Sequence, residues 1–334
     1  MKHERKNKTF PSASEDAQAA ELCVTSPQTL SPSYRLAYTD DDFLLRDELR
    51  PVRLQLELLK PELILREHHI ENTIVIFGST RIPEPKVAHE QLEEAEAVTS
   101  KDPTRGDLAG RARIARRIVA KSRYYDEARK LASLISQASK KIGHSRFVIV
   151  TGGGPGIMEA ANRGAHDVGL ESIGLNIVLP HEQRPNEYIT PELCFQFHYF
   201  AIRKMHFLMR AKALVVFPGG YGTLDELFET LTLIQTKKIK PIPVLIFGRE
   251  FWERIVNFDA LVEEGTVSPE DIDIFQYVDT AEEAWEVISR LFNVSCLFSF
   301  LLGNRGGPPG EDWVAQRSII GTDFSGRFRV CGLS

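Results

Sequence analysis

Residues 213–231 read ALVVFPGGYGTLDELFETL, and this stretch decides the fold class. Its first five residues, Ala213–Phe217, are apolar, which indicates a short buried strand. The turn Pro218–Gly222 follows, and Thr223 stands at the start of a run of good helix formers. A strand that turns through glycines into a helix presents backbone amides that favour an anion such as phosphate. We expect Thr223 to cap this helix and to donate its hydroxyl to a phosphate oxygen.

Two other apolar runs end in the same way. Thr73–Phe77 is followed by Gly78-Ser79-Thr80-Arg81, and Phe147–Thr151 is followed by Gly152–Gly156. Further strands are expected at Ser172–Val178, Ile242–Phe247 and Phe275–Val278, and helices at Ala88–Val98, Leu108–Lys140, after the second glycine turn through Gly164, and at Thr280–Phe292. Short strands that alternate with helices predict an α/β fold with a Rossmann-like parallel sheet covered on both faces. The glycine turns then share the carboxyl edge, where such sheets bind ligands.

None of the three glycine turns matches a standard nucleotide-binding motif. No turn ends in the Gly-Lys-Ser/Thr of a P-loop, and Gly152–Gly156 lacks the spacing of a dinucleotide-binding motif. Glycines also serve as tight strand-to-helix connections without any ligand. Three glycine turns at one edge of the sheet nevertheless favour a ligand site.

The chain divides into four predicted segments. Residues 1–38 are rich in Ser, Pro and charge and are predicted to be disordered. Residues 39–71 have leucines at helical spacing, and we expect Pro51 and Pro61 to break this helical extension into pieces. The Rossmann-like domain is placed at residues 72–292. Residues 293–334 form a tail without a clear period.

Composition excludes several functional classes. The chain has 334 residues, of which 43% are hydrophobic, and a net charge of −5, so no strongly basic face points to nucleic acid. No apolar run approaches the roughly 20 residues that span a bilayer. The four cysteines are widely spaced, and the N-terminus is polar without the apolar core of a signal peptide. We therefore expect no membrane partner, no metal and a cytoplasmic location.

Three segments together resemble the LOG (Lonely Guy) family. Residues 218–226 (PGGYGTLDE) match its pattern Pro-Gly-Gly-x-Gly-Thr-x-x-Glu, and Arg203-Lys204 matches its upstream Arg-Lys pair. The third segment, residues 148–162 (VIVTGGGPGIMEAAN), contains its glycine turn and Met-Glu pair. The resemblance covers about Asn72 to Phe292, so the chain is similar to the long, bacterial-type members.

The resemblance implies a homodimer and hydrolysis of the N-glycosidic bond of a nucleoside 5′-monophosphate to free base and ribose 5-phosphate. AMP or an N6-substituted adenine (cytokinin) nucleotide would be the substrate, and no cofactor is implied. Such sequences often carry the label lysine decarboxylase. That chemistry normally needs a Schiff-base lysine and a partner for the pyridinium nitrogen, and neither has a motif in this sequence.

The resemblance also assigns roles to residues. Arg203 and Glu226 would be catalytic, with Glu226 stabilising positive charge on the sugar or activating water. Glu229 lies on the same helical side as Glu226 and would reach the sugar or the water, whereas Asp225 would supply charge near the helix start. The remaining substrate-binding residues are expected to be Gly78, Ser79, Gly154, Lys204, Gly219, Gly220, Tyr221, Gly222, Thr223 and Thr232.

Two alternatives remain open from the sequence. A non-catalytic carrier or nucleotide sensor on the same fold, similar to molybdenum-cofactor carriers, would use the same glycines without turnover. A carrier does not need the pair Arg203 and Glu226, so their presence favours an enzyme. The helical N-terminal region could instead make the chain an assembly-forming or regulated variant.

Overall fold

The computed structural model describes residues 10–142, 147–180 and 184–290, and the predicted tail 293–334 lies outside this part of the chain. The chain forms two compact units, Met1–Glu62 and Leu63–Ser334. The expected start of the α/β domain, residue 72, is the first residue of the first strand. The four-segment division of the sequence stays a prediction.

The first unit contains short helices. Helix α1 spans Ala13–Ala20 and lies within the segment for which composition predicts disorder. A capping box stabilises its start, since the Glu15 N–H donates to the Ser12 hydroxyl and the Ser12 N–H donates to the Glu15 carboxylate. Helix α2 spans Asp41–Leu44. Single turns of 3-10 helix lie at Pro32–Tyr34, Ala37–Thr39 and Asp47–Leu49.

Helix α3 runs without interruption from Arg50 to Glu67, so the expected break at Pro61 is wrong, whereas a separate helix does begin next to Pro51. Pro51 lies in the first turn, where a backbone N–H has no intrahelical acceptor and none is lost. Pro61 lies inside the helix, where its missing N–H removes one hydrogen bond. The turn beyond Pro61 is stabilised by burial, because Leu65 is only 4% exposed and packs in the core of the second unit.

The described part of the second unit is built on a seven-stranded parallel sheet of order β4-β3-β2-β1-β5-β6-β7, which confirms the predicted Rossmann-like α/β class. Six strands correspond to the predicted runs. The strands are β1 Asn72–Phe77, β2 Phe147–Thr151, β3 Ser172–Ile177, β4 Cys194–Phe197, β5 Ala211–Val216, β6 Val244–Phe247 and β7 Phe275–Val278. The sequence-based prediction missed β4, because four residues with an exposed Gln196 among them give too weak an apolar pattern.

Helices cover both faces of the sheet. Their bounds are α4 Pro85–Lys101, α5 Gly106–Ile142, α6 Ile157–His166, α7 Phe200–Met209, α8 Tyr221–Gln235, α9 Arg249–Ile255, α10 Phe258–Glu263 and α11 281–290, with 3-10 turns at Pro191–Leu193 and Pro269–Ile274. In β1, Ile74 and Ile76 belong to one core cluster and Val75 and Phe77 to the other. This alternation follows from the two-residue period of a strand. Helices α5, α6 and α11 contribute to the first cluster, and α7, α8 and α9 to the second.

Helices α5 and α6 pack closely at Gly164. A Cβ atom at this position would overlap the Arg129 carbonyl oxygen of α5. Gly164→Ala is therefore expected to lower the free energy of unfolding by about 1–3 kcal/mol, the usual cost of overpacking. Gly110→Ala in α5 is the matched control, because a Cβ there meets no atom within 4 Å. The control should raise the free energy of unfolding by about 0.5–1 kcal/mol. Urea unfolding of both variants measures this, and equal effects would contradict the packing argument.

In the described residues no helix combines the length and the apolar composition needed to cross a bilayer.

Candidate functional site

The sheet reverses its strand order between β1 and β5, and the site lies at this point. Strands β2 to β4 continue on one side of β1, and β6 and β7 continue on the far side of β5. The connections that leave β1 and β5 therefore run in opposite directions and open a crevice at the carboxyl ends of the two strands. The turns after these strands are the first and third glycine turns of the sequence.

Backbone hydrogen bonds join the three glycine turns. The Phe217 N–H donates to the Phe77 carbonyl oxygen at 2.8 Å, and the Ser79 N–H donates to the Pro218 carbonyl oxygen at 3.0 Å. The Ile157 N–H, at the start of α6, donates to the Ser79 carbonyl oxygen at 3.1 Å. The turn after β1 is thus held between the other two.

A cavity of about 730 Å³ opens above these turns. This volume lies in the range of small-molecule sites. The cavity brings together most of the residues that the sequence assigns to the site: Gly78, Ser79, Arg203, Gly219, Gly220, Tyr221, Gly222, Thr223 and Glu226. The sequence assignment to the site did not include nine other residues of the lining: Phe77, Thr80, Arg81, Met158, Phe200, Leu224, Asp225, Phe251 and Ile255. Five of these stand inside the quoted motif segments, namely Thr80, Arg81, Met158, Leu224 and Asp225. Phe77 ends the first predicted strand, and Phe200, Phe251 and Ile255 belong to no motif.

Helix α8 begins at the glycine turn, but Thr223 is not its cap, contrary to expectation. The cap is Gly220, and no side chain hydrogen-bonds to the helix start. The first backbone N–H groups of α8 have no intrahelical acceptor and lie at the end of the helix that borders the cavity. Thr223 lies in the first turn and is 7% exposed. Its side chain packs tightly against Gly219, so a Cβ atom added at position 219 would overlap the Thr223 side chain. These amides and the helix dipole make the turn a suitable anion cradle.

Glu226 lies in the second turn of α8 and is only 6% exposed. Burial raises the pKa of its carboxyl to about 7. The cations Lys204 and Arg203 lower this pKa, while Glu229 and Asp225 raise it, so burial remains the main cause. A carboxyl with a pKa near 7 is half ionised at neutral pH and can accept or return a proton there.

Arg203 projects from α7 into the same cavity. Its Nε donates to the Leu175 carbonyl oxygen at 2.7 Å, and its guanidinium lies 5.1 Å from the centroid of the Phe207 ring. Burial lowers the pKa of Arg203, and the Glu226 carboxylate partly offsets that effect. Arginine side chains stay charged in proteins because their ordinary pKa lies far above neutral pH. The cavity therefore holds a rigidly placed cation near a carboxyl that titrates at neutral pH.

Lys204 and Glu229 lie close enough to Glu226 for their charges to shift its pKa, and they form an ion pair with each other. The Lys204 Nζ lies 2.8 Å from both Asp225 Oδ2 and Glu229 Oε2, joining α7 to α8. Although burial lowers the pKa of Lys204, its hydrogen bonds to these carboxylates raise it further than burial lowers it. Asp225, which is expected to supply charge near the helix start, therefore also forms an ion pair with Lys204.

A second depression is lined by Lys204, Glu229 and Thr232, and it shares Tyr221, Leu224 and Asp225 with the lining of the Glu226 cavity. The Tyr221 side chain is 93% exposed and borders both. The Thr232 hydroxyl donates to the Phe228 carbonyl oxygen within its own helix. A substrate contact by any of these three residues stays a prediction, and so does the action of Glu229 beside Glu226 on one sugar or water.

Gly154 also lies outside the lining of the Glu226 cavity. The Asn186 Nδ2 donates to the carbonyl oxygens of Gly153 and Gly154 and to Asn162 Oδ1. Asn186 thereby holds the second glycine turn, a role that no sequence motif indicates. Glu159 of the Met-Glu pair accepts a hydrogen bond from the Tyr125 hydroxyl at 2.8 Å and is structural.

Comparison with known proteins gives a consistent group of relatives. Residues 158–288 match a family described as possible lysine decarboxylase. The cytokinin riboside 5′-monophosphate phosphoribohydrolase LOG1 of Arabidopsis thaliana is 32% identical over 205 residues, which cover 60% of this chain and 84% of LOG1. LOG3 of the same plant, named for the same activity, is 29% identical over 167 residues, which cover 49% of this chain and 73% of LOG3.

A solved structure of the molybdenum cofactor carrier protein MCP from Chlamydomonas reinhardtii matches 67% of this chain and 99% of that chain. Its sequence identity is 15% and its TM-score is 0.36. A similarity of this extent supports no functional inference.

Proposed function

The chain belongs to the LOG family of cytokinin riboside 5′-monophosphate phosphoribohydrolases, and we propose that it hydrolyses the N-glycosidic bond of a nucleoside 5′-monophosphate. The substrate would be AMP, an N6-substituted adenine (cytokinin) riboside monophosphate, or both. The products would be the free base and ribose 5-phosphate. The observation that carries the proposal is one cavity that holds an anion cradle, Arg203 and the buried Glu226.

The 5′-phosphate would bind at the glycine turns. The amides at the start of α8 have no side-chain cap, so they are available to phosphate oxygens. Ser79 and Gly78 line the same cavity from the turn after β1. A phosphate held here would fix the nucleotide at one end and place its ribose along the first two turns of α8.

Glu226 would act on the ribose. Breaking the bond between C1′ and the base nitrogen leaves positive charge on C1′ and the ring oxygen, and an ionised Glu226 would stabilise that charge. The same carboxylate could accept a proton from the attacking water, whose oxygen bonds to C1′. The departing base takes up a proton in place of its bond to C1′. Arg203 would stabilise ionised Glu226 and bind the departing base or its nitrogen lone pair.

A lysine decarboxylase activity has little support from the cavity. A Schiff-base mechanism needs a lysine with an amine free to react, and no lysine is among the described residues that line the cavity. Lys204 borders the second depression and is paired with two carboxylates.

We further propose that the chain forms a homodimer. Helices α7 and α8 expose large apolar side chains beside the site: Met205, Met209, Tyr221 and Phe228. Apolar side chains that cluster on adjacent helices are typical of a protein interface. A cytoplasmic location, which is also part of this proposal, fits the widely spaced cysteines.

A product assay tests the function directly. The protein is incubated with AMP, GMP, CMP and isopentenyladenosine monophosphate, and with the matching nucleosides, and free base and ribose 5-phosphate are separated by chromatography. Release of base from a monophosphate but not from its nucleoside is expected. Binding of the nucleotides without any release would contradict the hydrolase and favour the carrier.

A further inference from the structure

One of the cationic side chains that line the Glu226 cavity has no role assigned so far. The charged side chains in the lining are Arg81, Arg203, Asp225 and Glu226. Arg203 is anchored on the Leu175 carbonyl oxygen and faces Glu226, and Asp225 is paired with Lys204. Arg81 is exposed, and within the described part of the chain it has no carboxylate within ion-pair distance.

The carboxylate nearest to Arg81 in the sequence is already engaged. Glu84, three residues further on, forms an ion pair with Arg163 of α6 at 3.0 Å. Arg81 lines the cavity at the glycine turns, so its charge adds to that of the backbone amides at this end.

The backbone fixes Arg81 beside the anion cradle. The Arg81 N–H donates to the Ser79 hydroxyl oxygen at 3.1 Å, and the Ser79 N–H donates to the Pro218 carbonyl oxygen at 3.0 Å. Two hydrogen bonds therefore connect the residue to the turn that precedes α8. Because strands β1 and β5 are neighbours, this position is set by the sheet and not by a long loop.

A phosphate needs more positive charge than the cradle supplies. A phosphate monoester carries a charge of about −1.5 to −2 at neutral pH, whereas a helix start is equivalent to about half a positive charge. Arg203 lies near Glu226, at the end where the sugar and base would bind. An arginine fork at the cradle would complete the neutralisation with two parallel hydrogen bonds.

We propose that Arg81 binds the 5′-phosphate and is the side chain by which the site selects a nucleotide over a nucleoside. That the phosphate belongs to a nucleotide rests on the proposed function, but the contact between Arg81 and a phosphate does not. The interaction of Arg81 with the phosphate would be equally strong in the ground state and in the transition state, since the phosphate does not change charge in the reaction. Its loss should therefore raise KM and leave kcat nearly unchanged.

The test compares Arg81→Ala, Arg81→Lys and the control Arg113→Ala, an exposed arginine of α5 that lines neither depression. Steady-state kinetics with AMP are expected to give a KM about 10- to 100-fold higher for Arg81→Ala, as for a lost charge-assisted hydrogen bond, with kcat within about twofold. Arg81→Lys should fall between, because it keeps the charge without the fork. The control should match the unmodified protein.

Calorimetric titration with ribose 5-phosphate, AMP and adenosine separates this proposal from the proposed function. Arg81→Ala should lower the affinity for ribose 5-phosphate and for AMP by the same factor and leave the affinity for adenosine unchanged. Equal affinities of the Ala variant and the control for ribose 5-phosphate would overturn the role of Arg81, even in an active enzyme. A protein that turns over no nucleotide would instead contradict the hydrolase, while selective loss of phosphate affinity would still support Arg81.

Discussion

Glu226→Gln is expected to lower kcat for a nucleoside 5′-monophosphate by about 10²- to 10⁴-fold, the usual contribution of a positioned acid–base group. Glutamine keeps the size and the hydrogen-bonding ability of the side chain but cannot become negative. The variant should fold, because the exchange replaces a buried ionisable group, 6% exposed, with a neutral one. Glu264→Gln, at an exposed position, is the matched control. Turnover in Glu226→Gln close to that of the control would remove Glu226 from the mechanism.

The pH dependence gives a second measurement on the same residue. Burial raises the pKa of Glu226 to about 7, and the proposed role requires the ionised carboxylate. The kcat/KM of the unmodified protein should therefore rise with pH through about 7 and level off above it. The residual activity of Glu226→Gln should lack this limb. A profile that is flat between pH 5 and 9 would show that the ionisation of Glu226 does not limit the reaction.

Stability should change in the opposite direction to activity. The pKa of Glu226 is raised from 4.5 to about 7 by folding, so the folded protein holds a proton between these pH values that the unfolded chain has lost. The free energy of unfolding consequently falls as pH rises through this window, by an upper limit of about 3 kcal/mol. Glu226→Gln should unfold at a higher temperature than the unmodified protein at pH 8 and show little difference near pH 4.5. Thermal unfolding at both pH values measures this.

Arg203→Ala is expected to reduce kcat by about 10²- to 10³-fold, the range observed when one preorganised electrostatic contact to a transition state is removed. Arg203→Lys should recover only part of the loss. Lysine has neither the Nε that donates to the Leu175 carbonyl oxygen nor the planar fork that the Phe207 ring supports. Lys212→Ala, at an exposed position in β5, is the control.

The Arg203 variants also have a signature that a purely structural role would not produce. Arg203 lowers the pKa of Glu226 through its charge. In Arg203→Ala the pKa of Glu226 should therefore rise above 7, and the ascending limb of the pH–rate profile should shift to higher pH. A variant that loses activity with an unshifted limb would indicate that Arg203 acts on the base alone. A variant with unchanged kcat would remove Arg203 from the catalytic assignment.

The amino-acid sequence was sufficient to predict six of the strands in the described sheet and the helices α4, α5, α6, α8 and α11, because each is encoded by a local pattern. The β-branched run in β1 and the glycine turn after β5 are examples. Helices α7, α9 and α10 were not predicted. The sequence-based prediction failed where local patterns compete with tertiary packing. The edge strand β4 is short and partly polar, and helix α3 continues through Pro61 because Leu65 is buried beyond it.

Only the tertiary structure decided how the site is assembled. The turns at Gly78 and Gly219 are far apart in sequence and meet because β1 pairs with β5, and strand pairing is not encoded in either strand alone. Two glutamates of the same helix have different surroundings: Glu226 is buried, which raises its pKa, whereas Glu229 forms an ion pair with Lys204. Charge compensation is likewise a property of three-dimensional neighbours. The motifs of the sequence predict which residues could bind a phosphate and act on a sugar. Which of these residues share one cavity follows from burial and strand pairing, because both depend on contacts between distant segments.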